Sequence, residues 1–379
     1  MSYIALARKY RPRKLSELMG QSSLVETLKN AIELNRIHHA FIFTGTRGVG
    51  KTTTARIMAL SLNCIGVDGN GKETIDPCLE CKNCQEILNL SHPDVIEIDA
   101  ASNTGVDFAR ELIESTKYPP MTARYKVFIV DEVHMLSKSA FNALLKTIEE
   151  PNQFIKFIFA TTEYNKIPIT IASRCQKFFL QNLKTEDLVQ NIKNICAQEN
   201  ITYEEKAIEH IAKMARGSAR DSLSLMDQVI SMSNGKNITE SDIFQMSSIS
   251  GGSDYAFEIL DNITSGNIEK SLEIGAEVLR SGYGSKILIS NMIDLISQTM
   301  ESICTKKHDP KTQKLCVNLD KTGNLSIQVL DPLYQVLAQS LAFIDTIEEK
   351  SVLDTLIIRL SFINKAPTLE EIVASLVNN

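Results

Sequence analysis

No apolar run in this chain of 379 residues approaches the ~20 that a membrane-spanning helix needs; stretches such as Val127-Phe128-Ile129-Val130 stop at four. The first 20 residues also lack the apolar core of a signal peptide and carry Arg8, Lys9, Arg11, Arg13 and Lys14 in its place. The expected location is therefore cytoplasmic, with no membrane partner. No internal repeat is present, and no low-complexity stretch is longer than residues 247–253, which excludes a repeat architecture. Apolar residues make up 43% and charged residues 23%, so the chain is neither collagen-like, disordered nor disulfide-rich. At this length it divides into two or three domains, each able to bury a core.

The formal charge of −6 conceals an asymmetry, because residues 1–60 carry a net +7. An anionic ligand near the N-terminus is consistent with that, as is a solvated basic face. Short apolar runs at residues 41–44, 94–98, 126–130, 156–160 and 177–180 alternate with longer amphipathic segments, the pattern of a parallel sheet covered by helices on both faces. One such segment, 139–150, reads as a helix on the spacing of Ala140, Ala143, Leu144 and Ile148, ended by Pro151. From Thr185 to about Gln245 no strand-like run appears. Three capping boxes are read there instead: Thr202 with Glu205, Ser218 with Asp221, and Thr239 with Asp242. Residues 247–253 are rich in Ser and Gly and read as a linker into a last helical segment, whose final helix is expected to begin at Thr368, capped by Glu371. The expected domains are 1–183, an α/β unit; 184–247, a small helical unit; and 248–379, an all-α unit.

Gly45-Thr46-Arg47-Gly48-Val49-Gly50-Lys51-Thr52 fits the phosphate-binding pattern GxxxxGK[ST] at every fixed position, after one expected strand and before a helical run. Glycines let backbone N–H groups curl around phosphates, the helix N-terminus adds partial positive charge, Lys51 neutralises phosphate oxygens, and the Thr52 hydroxyl ligates Mg²⁺. An acidic partner is expected at the end of another strand, and Asp131-Glu132 follows the run 127–130. Asp131 then holds the metal's water shell and Glu132 orients or deprotonates the attacking water. His134 reads as structural.

Cytosolic thiols stay reduced, so clustered cysteines argue for metal. Cys64, Cys78, Cys81 and Cys84 form C-x13-C-x2-C-x2-C, which suits tetrahedral Zn²⁺ in a closed site that folds a small insertion. An iron–sulfur cluster is the competitor, but the ferredoxin run needs a Cys followed by Pro after Cys84, and residue 88 is Leu88. Cys175, Cys196, Cys304 and Cys316 show no ligand spacing and are assigned to the core.

Taken together, Leu6-Ala7-Arg8-Lys9-Tyr10-Arg11-Pro12, His38-His39-Ala40 leading into the glycine loop, the cysteine insertion, Asp131-Glu132-Val133-His134, Ala160-Thr161-Thr162-Glu163, Ser173-Arg174-Cys175 and Gly217-Ser218-Ala219-Arg220-Asp221 resemble the gamma/tau subunits of bacterial DNA polymerase III, ATPases of the sliding-clamp loader. Specific motifs cover residues 1 to about 245; beyond that the likeness rests on length and helical texture. Tyr10 stands where Trp is common in the family, and the cysteine insertion is longer than in its best-known members.

The resemblance implies an α/β P-loop NTPase domain of the AAA+ type with a parallel sheet, a small helical lid domain, and an all-α collar domain that joins five subunits in an arc. It implies ATP as substrate and places Thr53, Ala7, Tyr10, Arg11, Pro12, Leu18 and Met19 around the nucleotide with the loop 45–52. Thr162 would be the γ-phosphate sensor, with Thr161 the alternative in that register. Arg220 would reach the nucleotide from the lid, and Arg174 would act as a finger on the neighbour's ATP. The implied partners are delta and delta-prime subunits, further gamma/tau copies, the beta sliding clamp, and primed DNA held without sequence readout. A non-hydrolysing stator is the alternative reading; the intact loop 45–52 and Asp131-Glu132 beside Arg174 favour a hydrolysing motor. A zinc-dependent DNA-binding regulator is disfavoured because no base-reading helix follows the cysteines. Family members often have a long form that tethers polymerase and helicase. With the chain stopping at Asn379, the expectation is assembly through 248–379 without that coupling.

Overall fold

The computed structural model describes residues 3–233, 237–249, 252–280, 284–305, 310–319, 327–344 and 349–363. Two compact units emerge, Met1–Ile243 and Phe244–Asn379.

In the first unit the apolar runs become five strands, β1 (Ala40–Thr44), β2 (Val95–Asp99), β3 (Lys126–Asp131), β4 (Ile155–Thr161) and β5 (Gln176–Phe179). They form one parallel sheet in the order β2-β3-β4-β1-β5. Every residue of β1 and β4 is buried, as expected of central strands covered on both faces. Alternation assigns the side chains to two layers. Phe41, Phe43, Ile129 and Ile158 pack with Ile57, Leu60 and Leu62 of the helix Lys51–Asn63, and this layer continues into Cys64, Cys81 and Cys84. On the other face Ile42, Phe128, Phe157 and Phe159 meet Phe141, Leu144 and Ile148 of the helix Lys138–Glu149, which Ser137 caps by accepting from the Ala140 amide. Chain order reverses about β1 and β4, the point at which open parallel sheets of this kind take their ligands, beyond the carboxyl ends of the strands.

After the sheet come the helices Thr185–Glu199, Glu205–Met214, Ala219–Met232 and Glu240–Ile249. Ser218 caps the third as its sequence indicates, accepting from the Asp221 amide at 3.1 Å. Thr239 and Asp242 cap the fourth reciprocally: the Asp242 carboxylate accepts from the Thr239 amide at 2.9 Å, and the Thr239 hydroxyl accepts from the Asp242 amide at 3.2 Å. The box expected at Thr202 and Glu205 does not form. Thr202–Tyr203 (β6) instead pairs in parallel with Asn237–Ile238 (β7), so this region does contain strands, and Glu204 occupies the cap position before the helix that starts at Glu205. Two-residue strands carry no periodic signal, and pairing across 35 positions outcompetes a local cap.

The second unit, among the described residues, consists of the helices Gly252–Ser265, Ile268–Arg280, Ser285–Thr305, Pro310–Leu319, Ile327–Phe343 and Glu349–Ile363. Leu288, Ile289, Met292, Leu337, Leu353 and Ile357 lie at its centre. Gly275 permits close helix approach, since a Cβ there would stand 3.0 Å from Ile357 Cδ1. At the linker expected over 247–253 one helix runs to Ile249 and the next starts at Gly252, and residues 250–251 lie outside the described residues. Ser247 and Ser248 lie in the last turn of the first helix, and Gly252 and Ser253 begin the second. Cys175 and Cys196 are buried as expected, whereas Cys304 is exposed and Cys316 only half-buried, so a thiol's apolar character alone did not place them in the core. The helix expected from Thr368 lies outside the described residues.

Candidate active site and cysteine cluster

The loop between β1 and the helix Lys51–Asn63 folds as its glycines require, with Gly48 at φ +76° and Gly50 at φ +106°, conformations that L side chains resist. Gly48 answers a second constraint: a Cβ there would come within 2.1 Å of Ser218 Oγ and 3.3 Å of Asp221 Oδ2. The loop thus abuts the N-terminus of the helix Ala219–Met232. Lys51 is buried and donates to the carbonyls of Gly45 and Thr46, each at 3.0 Å. Burial lowers its pKa, opposed by the nearby carboxylates of Glu132 and Asp131. The Thr52 hydroxyl donates to Asp131 Oδ2 at 2.6 Å, joining the glycine loop to the end of β3.

Immediately past Asp131 the chain turns at Glu132, a non-glycine residue at φ +46°. Its Oε2 accepts from the Thr162 amide at 3.3 Å and the Thr162 hydroxyl at 3.1 Å. Of the two candidate threonines, Thr162 therefore faces Glu132, while Thr161 is fully buried with its hydroxyl against His134 Nδ1 at 2.9 Å.

Arg11 is half-buried and donates to Thr53 Oγ1 at 2.9 Å. Burial, then the cations of Arg56 and Arg220, bring its pKa down to about 10, so three arginines share this neighbourhood. Arg56 is itself held by Glu97 on β2 through two bonds of 2.6 and 2.5 Å. The other N-terminal candidates lie in the same segment: Ala7 is in the short helix Leu6–Lys9, the Tyr10 hydroxyl donates to Glu199, Pro12 and Met19 are half-buried, and Leu18 packs on the core. The Leu6 amide donates to Asp227 at 2.8 Å, so this N-terminal segment is fastened to the helices that follow the sheet. Thr46 bonds Asn182, and Arg47 is exposed. Gln21 braces the crossing from sheet to helices, donating to the Gln181 carbonyl at 2.8 Å and accepting from its amide at 3.2 Å.

Arg174 is not brought to this cluster. It is half-exposed, paired with Glu149, and donates to the Thr170 carbonyl at 2.7 Å. Arg220 is exposed on the first turn of the helix Ala219–Met232. The contributions of Gln21, Arg56, Glu97 and Asn182 went unread in the sequence, since each acts through a partner at least 41 positions away.

The four cysteines Cys64, Cys78, Cys81 and Cys84 converge, with their Sγ atoms within 4.8 Å of one another and Cys64 and Cys78 at 3.5 Å. Ligand sulfurs of tetrahedral zinc lie about 3.8 Å apart for Zn–S bonds of about 2.3 Å. Backbone amides point at these sulfurs as they do around bound thiolates: Gly66 and Cys78 to Cys64 at 3.4 and 3.3 Å, and Cys81 to Cys78 at 3.3 Å. Burial raises the Cys64 and Cys84 thiols. Burial alone would raise Cys78 too, but amide donation from Cys81 and Glu80 and the adjacent thiols bring it to about 7. Arg124 fastens the insertion by donating to the Leu62 carbonyl and to those of Gly71 at 2.6 Å and Cys64 at 3.3 Å. The residues fit a metal held by four thiolates.

Family models match three consecutive stretches: DNA polymerase III, delta subunit, over residues 20–184; DNA polymerase III clamp loader subunit, ATPase lid domain, over 187–235; and DNA polymerase III subunits gamma and tau domain III, over 250–376. The chain is 46% identical over 270 residues to DNA polymerase III subunit tau/gamma of Haemophilus influenzae and 41% identical over 297 residues to subunit tau of Escherichia coli. These matches cover 71% and 78% of this chain but 38% and 45% of those proteins, so it spans less than half of their length. Subunit gamma of Buchnera aphidicola is 41% identical over 344 residues, with 87% of this chain and 92% of that protein covered. Among solved structures, the Thermotoga maritima RuvB branch migration motor aligns with a TM-score of 0.47 at 20% identity, over 67% of this chain and 78% of that one. No described helix is long and apolar enough to cross a membrane. On the sequence matches, this chain is a member of the gamma/tau subunit family of DNA polymerase III.

Proposed function

We propose that this chain is the ATP-hydrolysing motor subunit of a cytoplasmic clamp loader, which opens the beta sliding clamp and loads it on primed DNA. The observation that carries this reading is the bond between Thr52 and Asp131, with Glu132 turned toward Thr162 beside it. A subunit that only braces the assembly needs none of that arrangement. Lys51 and the amides of residues 45–52 would cradle the β- and γ-phosphates, with Arg11, Thr53 and the segment from Ala7 to Met19 around the rest of the nucleotide. Thr52 and Asp131 would hold Mg²⁺, which supplies charge neutralisation between the phosphates when bound. Glu132 orients the attacking water and takes up its proton, and Thr162 ties that carboxylate to the end of β4, where it senses the γ-phosphate.

Domain roles follow the same reading: residues 1–183 bind ATP, 184–247 form a lid that brings Arg220 to the nucleotide, and 248–379 join delta, delta-prime and further gamma/tau copies in a pentamer. Arg174, held by Glu149 and Thr170 and not by the residues of its own site, would act on the ATP of the neighbouring subunit. The cysteine cluster would hold Zn²⁺ as a closed structural centre. Replacing Lys51 with Ala tests the cradle: ATP titration should show binding lost with the melting temperature kept, and unchanged affinity would overturn the assignment.

A further inference from the structure

His134 follows Glu132 by two residues in the single turn Val133–Met135, and its side chain is only 6% exposed. Its Nδ1 lies 2.9 Å from Thr161 Oγ1 and 3.4 Å from Glu132 Oε2, while Nε2 lies 3.3 Å from Glu163 Oε1. The two edges of the ring have different surroundings. On the Nδ1 side, Glu132 Oε2 is the same oxygen that receives both Thr162 donations, and the Thr161 hydroxyl is itself fixed by the Glu163 amide at 2.9 Å. On the Nε2 side, Glu163 is exposed and already paired with Lys166 at 2.9 Å. The Nδ1 edge is therefore hydrogen-bonded to Thr161 and lies against the Glu132 carboxylate that Thr162 holds, and the Nε2 edge meets a carboxylate with a partner of its own.

We infer that His134 is a positioning residue whose Nδ1 edge fixes the Glu132 carboxylate against the end of β4, setting where that carboxylate meets the attacking water. This rests on the proposed role of Glu132. The backbone at Glu132 is in the left-handed region, so the direction of its side chain is not held by a regular strand or helix and needs support from tertiary contacts. Thr162 donates the hydrogen bonds to this carboxylate, while Nδ1, bonded to Thr161, stands 3.4 Å from Glu132 Oε2 and blocks its movement away from the end of β4. A misplacement near 1 Å in such a group can cost about 100-fold in rate.

The test uses the geometry of the ring. Asn reproduces the position of Nδ1, and Gln that of Nε2. Steady-state ATP hydrolysis by the full chain, assembled with delta and delta-prime subunits, clamp and primed DNA, should show kcat for His134→Ala lower by about 10–100-fold with KM within about twofold. His134→Asn should recover to within a few-fold of wild type and His134→Gln should remain as slow as the Ala variant. An Asn variant as slow as Ala, recovery by Gln instead, or an Ala variant of normal kcat would overturn the inference. Glu132→Gln run alongside separates the two levels: normal hydrolysis by that variant overturns the role of Glu132 itself, whereas an inactive Glu132→Gln beside normal His134 variants removes only the positioning role.

Discussion

Asp94 shows how a single buried residue secures the sheet that carries the site. Its carboxylate accepts from the amides of Met121, Thr122 and Ala123 at 2.8, 2.8 and 2.9 Å, pinning the loop that leads into β3. Burial by itself would raise its pKa, but the three amide donations outweigh that and hold it below the ordinary carboxylate value. A group with a depressed folded pKa stabilises fully above its unfolded value near about 4, and that contribution is lost as pH falls toward the folded value. Asp94→Asn should therefore cost about 1.5–3 kcal/mol at pH 7, and the gap to wild type should close as pH drops below about 4 in denaturant melts. Equal stability at neutral pH would remove this account. At the residue scale the glycine loop and the cysteines were legible because their chemistry demands fixed local spacing. Asp94 and Arg124 were not, because their partners stand 27 to 62 positions away and only the folded sheet brings them together.

Among the elements, the central strands were legible to within about one residue because continuous apolar runs bounded by polar segments leave little choice of state. The β6–β7 pair escaped because two residues cannot show a period. The cysteine insertion is the element with the sharpest prediction. Its core contacts reach the sheet through Cys64, Cys81 and Cys84, yet no cysteine is proposed to touch nucleotide. Purified protein should carry one zinc per chain. Cys81→Ser should lose the metal and expose the segment between Cys64 and Leu88 to protease, with ATP affinity within a few-fold of wild type. Metal analysis that finds iron, or a variant with full protection and no metal, would contradict the closed zinc centre.

For the whole molecule, the separation between the nucleotide cluster and Arg174 matters most. Lys51, Thr52, Asp131, Glu132 and Thr162 gather at one end of the sheet, whereas Arg174 is held by Glu149 and Thr170 and takes no part in that cluster. The proposed role of Arg174, on the ATP of a neighbouring subunit, therefore has its test in the assembled complex. The finger role proposed for Arg174 rests on the family resemblance; the sequence around residue 174 by itself reads as a surface arginine. The most direct measurement is ATP turnover by the chain assembled with delta and delta-prime subunits, clamp and primed DNA, comparing wild type with Arg174→Ala. The account predicts turnover that rises when all components are present and falls by about 10³–10⁵ in the variant, with ATP binding unchanged. Stimulated turnover that survives the substitution, or a wild-type assembly in which this chain hydrolyses nothing, would contradict it.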